Sequence, residues 1–463
     1  MLELTIENIL DALKECRTEN YNEYDLQKKV NSISIDTRKI QAGSLYIPII
    51  GENFDGHNFI ENAFNNGAIV CLSEKDIKSE LGIIIKVKST KEALKDLAEY
   101  YLNLFDLPVI AITGSVGKTS CKDMISSVLS TKYNVLKTEG NFNNEIGLPL
   151  TVFKLEKEHD VIVLEMGMNH FNEIYSLSKI AKPSICVISN IGVSHIENLG
   201  SQDGILKAKS EIFAFMKEDG LAIINGDDDY LLKIKDKIHN KYTFGLHKNN
   251  DYYCENIQVL GFEGTKGYVH TPKNNYEIML KVIGKHMIYN TLPAIIIGEK
   301  LGLSNEQIQK GILDFVPTKM RLNIYSSDGI TIIDDAYNAS PDSMKSAVNT
   351  LVSLGSENKH VAILGDMFEL GEYSIEAHKI VGKHVASSNI DLLICVGNDA
   401  KFIYEEALNN GMNQENLKYY ADKDEVIKEI NSIILDKDIV LVKASRGMHL
   451  EKIIDKIKVR EVH

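Results

Sequence analysis

Short apolar runs rich in β-branched residues recur along most of this chain, and a polar turn and a helical pattern follow each of them. The runs are LPVIAIT, VIVLEMG, SICVISNIG and LAIINGDDD in one part, and GITIIDDAY, HVAILGDM, DLLICVGND and DIVLVKASRG in a later part. Strands that alternate with helices predict a parallel sheet that is covered by helices on both faces. We therefore predict an α/β fold.

The chain has 463 residues, a length that corresponds to about three domains. Residues 1–106 mix short strands and helices and end in the helical pattern KEALKDLAEYYLNLF. Residues 107–316 contain the first four strand units and then a hairpin-like part from Tyr242 to Lys281. Residues 317–463 contain the other four units. Since no Pro/Gly/Ser-rich linker separates these ranges, we expect short hinges between them.

The composition disfavours several classes of protein. Hydrophobic residues make up 44% and charged residues 25%, which is typical of a globular protein rather than a disordered one. The net charge of −14 has the wrong sign for coating nucleic acid or anionic lipid. The six cysteines are scattered without zinc or redox spacing, and neither a signal peptide nor a spanning run is visible. We expect a cytoplasmic protein with no nucleic-acid partner and no membrane insertion.

The segment TGSVGKTS lies between a predicted strand and a predicted helix, which is the context of a phosphate-binding P-loop. In such a loop, Lys118 would reach the β- and γ-phosphates and the Thr119 hydroxyl would ligate Mg²⁺. The loop is a short variant, because Ile112 stands where the common pattern has its first glycine. The alternative is a glycine-rich turn that binds nothing. The candidate nucleotide-binding residues here are Thr113, Gly114, Ser115, Val116, Gly117, Lys118, Thr119 and Ser120.

Further candidates follow two other strands and lie on one helix. Glu165 ends the VIVLEMG strand, and a carboxylate there would face the ligand crevice; the alternative is a solvated glutamate. His195 follows the next strand and is either a capping or buried hydrogen-bonding residue or a ligand of a divalent ion. Lys207 and Lys209, on a predicted helix, read from the residues alone as solvated lysines.

The segment TEGNFNNEIGLP is dense in asparagine and glycine. Its amides could hydrogen-bond a polar substrate near the γ-phosphate, and the alternative is a cluster of surface turns. The candidate side chains are those of Asn141, Asn143 and Asn144.

In this order, TGSVGKTS, TEGNFNNEIGLPL, VLEMGMNH, NIGVSHIENLGS and AKSEIF resemble the Mur ligases, ATP-dependent peptide-bond-forming enzymes of peptidoglycan precursor synthesis. The resemblance covers essentially the whole chain. It implies a small α/β UDP-sugar-binding domain (1–106), a central P-loop ATPase domain with a mostly parallel sheet (107–316) and a C-terminal Rossmann-like domain (317–463).

The runs IDDAYNASPDSM and ILGDMFELG resemble the branch of the family that joins D-alanyl-D-alanine to UDP-N-acetylmuramoyl-tripeptide. The implied partners are these two substrates and ATP, and we expect a monomer. Two Mg²⁺ ions are the implied metal cofactors.

The resemblance also implies roles for residues of the central part. Lys118 and Thr119 keep their P-loop roles, and Glu165 and His195 resemble the Mg²⁺ ligands of the family. Lys209 matches a lysine that related ligases carbamylate, so that its carboxylate-like end holds the second Mg²⁺. The implied catalytic residues are Lys118, Glu165, His195, Lys209 and Arg321.

Nucleotide and substrate contacts are implied in the same way. His286 and Asn290 lie in GKHMIYNTLPA, where Met287 replaces the usual asparagine, and Arg321 resembles an arginine placed near the γ-phosphate. Asp335 and Asn338 are candidates to touch ribose or adenine. The family's Lys-Gly-Ser reads Lys443-Ala444-Ser445 here. The remaining candidate substrate-binding residues are Asp36, Thr37, Arg38, His57 and Ser445.

The chemistry that these parts imply is transfer of the γ-phosphoryl group to a carboxylate, followed by attack of an amine on the acyl phosphate. Lys118, Arg321 and the Mg²⁺ ions would stabilise the charge on the transferring phosphoryl group. Two other classes stay open: a sibling ligase that adds another amino acid or extends folate with glutamate, and a P-loop switch or motor. A nicotinamide oxidoreductase is disfavoured, because the glycines do not follow GxGxxG.

Overall fold

The computed structural model describes residues 1–19, 23–355 and 357–459. Its α-helices are α1 (Ile6–Ala12), α2 (Ile60–Asn65), α3 (Thr90–Leu102), α4 (Lys118–Leu129), α5 (Gly147–Val152), α6 (Glu173–Ala181), α7 (Ile196–Leu199), α8 (Gln202–Ser210), α9 (Asp229–Leu232), α10 (His286–Lys300), α11 (Asn305–Leu313), α12 (Pro341–Val352), α13 (Ser374–Ala386), α14 (Ala400–Asn409), α15 (Lys423–Ile433) and α16 (Glu451–Lys458).

The β-strands have the following ranges. They are β1 (Leu4–Thr5), β2 (Cys16–Glu19), β3 (Lys29–Val30), β4 (Ser32–Ser34), β5 (Ser44–Tyr46), β6 (Ile50–Gly51), β7 (Phe54–Asp55), β8 (Ala68–Ser73), β9 (Ile83–Val87), β10 (Val109–Thr113), β11 (Val135–Lys137), β12 (Val161–Glu165), β13 (Ile185–Ile188), β14 (Leu221–Asn225), β15 (Lys241–Gly245), β16 (Tyr252–Val259), β17 (Thr265–His270), β18 (Asn275–Leu280), β19 (Asn323–Ser327), β20 (Ile330–Asp335), β21 (His360–Gly365), β22 (Leu392–Val396), β23 (Leu417–Tyr420) and β24 (Ile439–Lys443).

The chain forms two compact units. The first contains residues 1–112, 133–186 and 210–220, and the second contains residues 113–132, 187–209 and most of the chain from Leu221 onward. All eight apolar runs named above form strands, as predicted.

The first unit contains two groups of parallel strands. One sheet has the order β2-β9-β8-β5-β4, in which β2 runs antiparallel to β9 and the other pairs are parallel. The second group is the parallel ladder β11-β12-β10, in which Ile112 pairs with Glu165. This register places Glu165 at the carboxyl end of the ladder, where ligands of parallel sheets bind.

The first part of the second unit carries the P-loop helix. Helix α4 packs against α10 and α11. Strands β14 and β15 pair in parallel, and β16, β17 and β18 form an antiparallel meander. The hairpin-like character predicted for Tyr242 to Lys281 is therefore confirmed for the meander, whereas β15 continues the parallel pairing.

The remaining part of the second unit is built on a six-stranded sheet of order β19-β20-β24-β21-β22-β23. Strand β19 is antiparallel to β20, and the other pairs are parallel. Along β21, Val361 and Ile363 belong to one buried cluster, and Ala362 and Leu364 to the other. Because successive side chains point to opposite faces, a strand covered on both faces has a continuous apolar sequence. The predicted α/β fold is confirmed.

Among the described residues, no helix is both long enough and apolar enough to span a bilayer.

Candidate active site

Two glycines let the P-loop fold tightly before helix α4 begins at Lys118. Gly117 is left-handed with φ +82°, and a Cβ there would lie 2.7 Å from Asn290 Oδ1. A Cβ on Gly114 would collide with the Ser189 hydroxyl. Only glycine fits at such close approaches. The P-loop is therefore followed directly by the N-terminus of α4, an end of a helix that favours a bound anion.

The segment that follows β13 holds the P-loop in shape. The Asn190 side chain accepts a hydrogen bond from Val116 N–H at 2.9 Å and donates one to Val116 O at 2.8 Å. The Ser189 hydroxyl donates to the same carbonyl at 2.9 Å. Sequence analysis missed Asn190 and Ser189. Their only signal was their position immediately after a predicted strand.

The P-loop lines a cavity of about 390 Å³, a volume within the range of small-molecule sites. The cavity lies within the second unit, and Ser115 Oγ is a buried oxygen there for which the described residues provide no hydrogen-bond partner. Predicted residues that line the cavity are Ser115, Val116, Gly117, Lys118, Thr119, Ser120, His286, Asn290, Arg321, Asp335 and Asn338. Residues that line it without having been predicted include Asn190, Asp228, Tyr289, Tyr337 and Lys443.

Two lysines meet at one carbonyl of the P-loop. Lys118 Nζ donates to Gly114 O at 2.7 Å, and Lys209 Nζ donates to the same oxygen at 3.0 Å. Lys209 is 1% exposed. Burial, and then the charge of Lys118, hold the pKa of Lys209 well below its usual value. The interpretation of Lys209 as a solvated lysine is wrong, whereas Lys207 on the same helix is exposed.

His195 lies in a strained backbone conformation with φ +64° at the start of α7. Its Nδ1 is 2.8 Å from Glu369 Oε2. The carboxylate lies off the direction of a ring hydrogen bond, so the two groups make a close polar contact that becomes an ion pair only when the imidazole is protonated. Burial lowers the pKa of His195 despite the opposing effect of Glu369, and the charge of Lys118 lowers it further. The neutral imidazole is thereby favoured, and this is the form that ligates metals.

A buried ion pair forms another part of the cavity wall. Lys443 Nζ donates to Asp335 Oδ2 at 2.6 Å and to Asn338 O at 2.8 Å. The Leu322 N–H donates to Asp335 Oδ1 at 3.2 Å. Asp335 therefore already has two protein partners, and sequence analysis placed Lys443 in a family motif without giving it a role. A lysine at the end of an otherwise apolar strand is the signal for such a buried partner.

Three other predicted nucleotide contacts line the same cavity. The Arg321 guanidinium lies over the Tyr337 ring at 4.2 Å. His286 is half-buried as a residue, but its Nε2 is out of contact with solvent and has no hydrogen-bond partner among the described residues. Burial, and then the charge of Lys443, lower the pKa of His286 to about 4. Asn290 Nδ2 contacts Met287 Sδ at 3.6 Å, so the replacement at Met287 supplies a weak acceptor.

In the first unit, Glu165 is brought together with the asparagine-rich segment. Glu165 is 2% exposed, and its Oε1 accepts a hydrogen bond from Asn143 Nδ2 at 2.8 Å. Its Oε2 is buried without a hydrogen-bond partner among the described residues. Such an oxygen suits a cation. Asn144 instead accepts from Gly147 N–H at 2.8 Å at the start of α5, and Asn141 is exposed.

The other predicted substrate residues have partners of their own. Asp36 pairs with Arg38 at 2.8 Å, and this contact lowers the pKa of Asp36 to about 2; Thr37 begins the short turn between them. Both ring nitrogens of His57 are engaged, Nδ1 with Asp55 at 2.7 Å and Nε2 as acceptor from the Glu74 N–H at 2.9 Å. The last of these predicted residues, Ser445, lies in another part of the chain. It is buried, and its hydroxyl accepts a hydrogen bond from the Phe368 N–H at 2.8 Å.

Three known protein-family domains match successive parts of the chain. The description "Mur ligase family, catalytic domain" matches residues 29–102, "Mur ligase middle domain" matches residues 112–298, and "Mur ligase, glutamate ligase domain" matches residues 320–446. These matches follow one another in the order of the motifs.

The chain is similar over its length to curated proteins and solved structures. A UDP-N-acetylmuramoyl-tripeptide–D-alanyl-D-alanine ligase of Bacillus subtilis is 39% identical over 98% of both chains, and one of Escherichia coli is 32% identical over 92% of this chain and 93% of its own. A crystal structure of MurF from Acinetobacter baumannii has a TM-score of 0.91 and 31% identity, covering 99% of this chain and 100% of its own. MurF ligase from Thermotoga maritima in complex with ADP has a TM-score of 0.83 and 27% identity, covering 92% and 97%. The chain therefore belongs to the Mur ligase family.

Proposed function

We propose that this protein is an ATP-dependent ligase that joins D-alanyl-D-alanine to UDP-N-acetylmuramoyl-tripeptide in peptidoglycan precursor synthesis, forming a C–N bond, ADP and phosphate. The observation that carries the proposal is the cavity in which the P-loop, Arg321 and Lys443 converge. The similarity to ligases named for this reaction, over 98% of the chain in the first case, supports the choice of substrates.

The chemistry of the predicted ligands suits Mg²⁺ residue by residue, although the described residues gather no cluster of three or more His, Cys, Asp or Glu side chains. The Glu165 Oε2 atom lacks a hydrogen-bond partner among the described residues, Thr119 offers a hydroxyl in the cavity, and His195 favours its neutral form. The lowered pKa of Lys209 favours the neutral amine, which is the form that carbamylation requires. We infer that Thr119, Glu165, His195 and a carbamylated Lys209 hold two Mg²⁺ ions, which would neutralise charge on the transferring phosphoryl group.

Other side chains and backbone groups bind the phosphates and the nucleoside. Lys118 and the N–H groups at the start of α4 bind phosphate oxygens, and Arg321, stacked on Tyr337, adds positive charge at the γ-phosphate. His286, Asn290, Asp335 and Asn338 contact the nucleoside. The tripeptide carboxylate accepts the phosphoryl group, and the D-alanyl-D-alanine amine then displaces phosphate from the acyl phosphate. Closure of residues 317–463 over ATP would exclude water and so protect this acyl phosphate from hydrolysis.

We assign the UDP-sugar to residues 1–106, ATP to residues 107–316 and closure over ATP to residues 317–463. The family matches to residues 29–102, 112–298 and 320–446 support this division. Within it, we propose that Asp36, Thr37, Arg38 and His57 contact the UDP-sugar. We propose further substrate contacts for Asn141, Asn143 and Asn144, near the γ-phosphate, and for Ser445. We propose a cytoplasmic protein, since ATP and a nucleotide-linked sugar are its substrates, and we expect it to be a monomer.

The proposal is tested by incubating the full chain with ATP, Mg²⁺ and UDP-N-acetylmuramoyl-tripeptide, with and without D-alanyl-D-alanine. The tripeptide is supplied with lysine and, separately, with diaminopimelate as its third residue. We expect phosphate release that depends on the dipeptide and a product heavier by one D-alanyl-D-alanine less water. Dipeptide-independent phosphate release without a new mass would contradict the proposal. A product with a different amine in a parallel screen would indicate a sibling ligase.

A further inference from the structure

The loop between β21 and the turn before α13, here the Asp366–Gly371 loop, brings Glu369 to His195. We propose that Glu369 is a positioning residue that orients the His195 imidazole toward a divalent cation at the P-loop. This inference rests on the function proposed above. The observation from which it starts is the distance of 2.8 Å between Glu369 Oε2 and His195 Nδ1.

The protein fixes the start of this loop from two sides. Asp366 accepts hydrogen bonds from the N–H groups of Asn398, Asp399 and Ala400 at 3.0, 3.0 and 2.7 Å, which ties the loop to the start of α14. Its own carbonyl accepts from the Ser445 N–H at 3.0 Å. The loop is thus anchored in the sheet that carries it.

The middle of the loop is held by two buried side chains. His378 is fully buried, accepts from the Met367 N–H at 3.0 Å through Nε2, and contacts Ser374 O at 2.7 Å through Nδ1. These partners require the proton to be on Nδ1. The Ser445 hydroxyl accepts from the Phe368 N–H at 2.8 Å. Two consecutive backbone amides immediately before Glu369 are therefore fixed.

The end of the loop lies directly on the helix that follows His195. A Cβ on Gly371 would be 3.1 Å from the Glu197 side chain and 3.5 Å from Glu197 Cα. Glu369 itself has φ +63°, a conformation that non-glycine residues seldom adopt. The loop thus holds Glu369 in an unusual backbone geometry beside α7, as expected when a side chain must reach a particular neighbour.

The chemistry of a metal-binding histidine explains the pairing. A ligating imidazole usually gives its other ring N–H to a carboxylate, which fixes the tautomer and the orientation of the ring. In this structure Glu369 Oε2 lies 2.8 Å from Nδ1 but off the direction of that hydrogen bond, and Nε2 is left as the ligating nitrogen. Ligation at Nε2 would turn the ring so that Nδ1–H is donated to Glu369. Because Glu369 and His195 belong to distant parts of the sequence, the cation site would be complete only when the Asp366–Gly371 loop lies against α7.

The test compares Glu369→Ala and Glu369→Gln with the wild type, in the full chain. The control is Glu372→Ala, which alters an exposed carboxylate on the adjacent turn. The probe is Mn²⁺ in the presence of ADP, with free Mn²⁺ measured by electron paramagnetic resonance. A second readout is the pair of ring ¹⁵N signals of His195, which a His195→Gln variant assigns. The third is the separate effect on KM for ATP and on kcat.

We expect Glu369→Ala to weaken Mn²⁺ binding by about ten-fold or more and to shift the His195 ring signals. Glu369→Gln, which retains an acceptor oxygen, should restore most of both effects, and Glu372→Ala should match the wild type. Wild-type Mn²⁺ affinity together with unchanged ring signals in Glu369→Ala would overturn the inference. A wild type that forms no product while its ring signals depend on Glu369 would instead count against the proposed function alone.

Discussion

Lys443 Nζ donates a hydrogen bond to Asp335 Oδ2 at 2.6 Å, and the side chains of both residues are largely withdrawn from solvent. The pair joins the ends of the neighbouring parallel strands β20 and β24, where Asp335 pairs with Lys443 in the ladder. A charge at this position needs its partner, because removing one member leaves the other buried and uncompensated.

We therefore expect Lys443→Met and Asp335→Asn each to lower the free energy of unfolding by about 3 kcal/mol. The double variant should lose less than the sum of the two, because it leaves neither charge unpaired. Urea unfolding monitored by circular dichroism measures all three. Additive losses would show that the two side chains do not stabilise each other.

A second prediction concerns the pH dependence of stability at His286. Its pKa is about 4 in the folded protein, and about 6.5 in an unfolded chain. Between these values the unfolded chain binds a proton that the folded protein does not, so stability falls as the pH drops from 6.5 to 4. The loss from this group is at most about 3 kcal/mol. A His286→Gln variant should lack this part of the pH dependence in urea unfolding at pH 7, 5.5 and 4.5; parallel curves would contradict the assignment.

A third prediction compares two lysines of helix α8. Lys209→Ala should lower the rate of ligation by about 100-fold, because it removes the buried amine beside the P-loop, while exposed Lys207→Ala should stay within two-fold of the wild type. Depleting dissolved carbon dioxide should lower wild-type activity, and bicarbonate should restore it. Bicarbonate without effect on the depleted wild type would argue against a carbamylated Lys209.

A fourth prediction concerns the alanine that replaces the family's glycine. Ala444 is fully buried, and a Cβ on Gly365 would lie 2.7 Å from its methyl group. Ala444→Gly should cost about 1.5 kcal/mol through the lost methyl group and the freer backbone. Gly365→Ala should cost about 2 kcal/mol through overpacking, and Ala444→Gly in the same chain should relieve part of that loss. No relief in thermal or urea unfolding would show that another neighbour limits the site.

Much of the fold follows from local patterns. A strand that is buried on both faces has a continuous apolar sequence. The strands β21 and β24 can therefore be recognised from their own residues, without any knowledge of their neighbours. Edge strands behave differently: β19 and β23 are partly exposed and carry mixed residues, so sequence analysis did not find them. The P-loop is equally local, because its glycines, lysine and threonine are consecutive.

The candidate site required the tertiary structure wherever its parts come from distant segments. Lys209 looks like Lys207 in the sequence, and only packing decides that one is buried beside Lys118 and the other exposed. No residue near His195 in the sequence indicates that Glu369 contacts it. Lys443 pairs with Asp335 only because β20 and β24 are adjacent strands. The sequence by itself determined the strands, the P-loop and the family resemblance, since these are encoded in neighbouring residues. The tertiary structure decided which charges are buried and which side chains meet, since burial and contact depend on how remote segments pack.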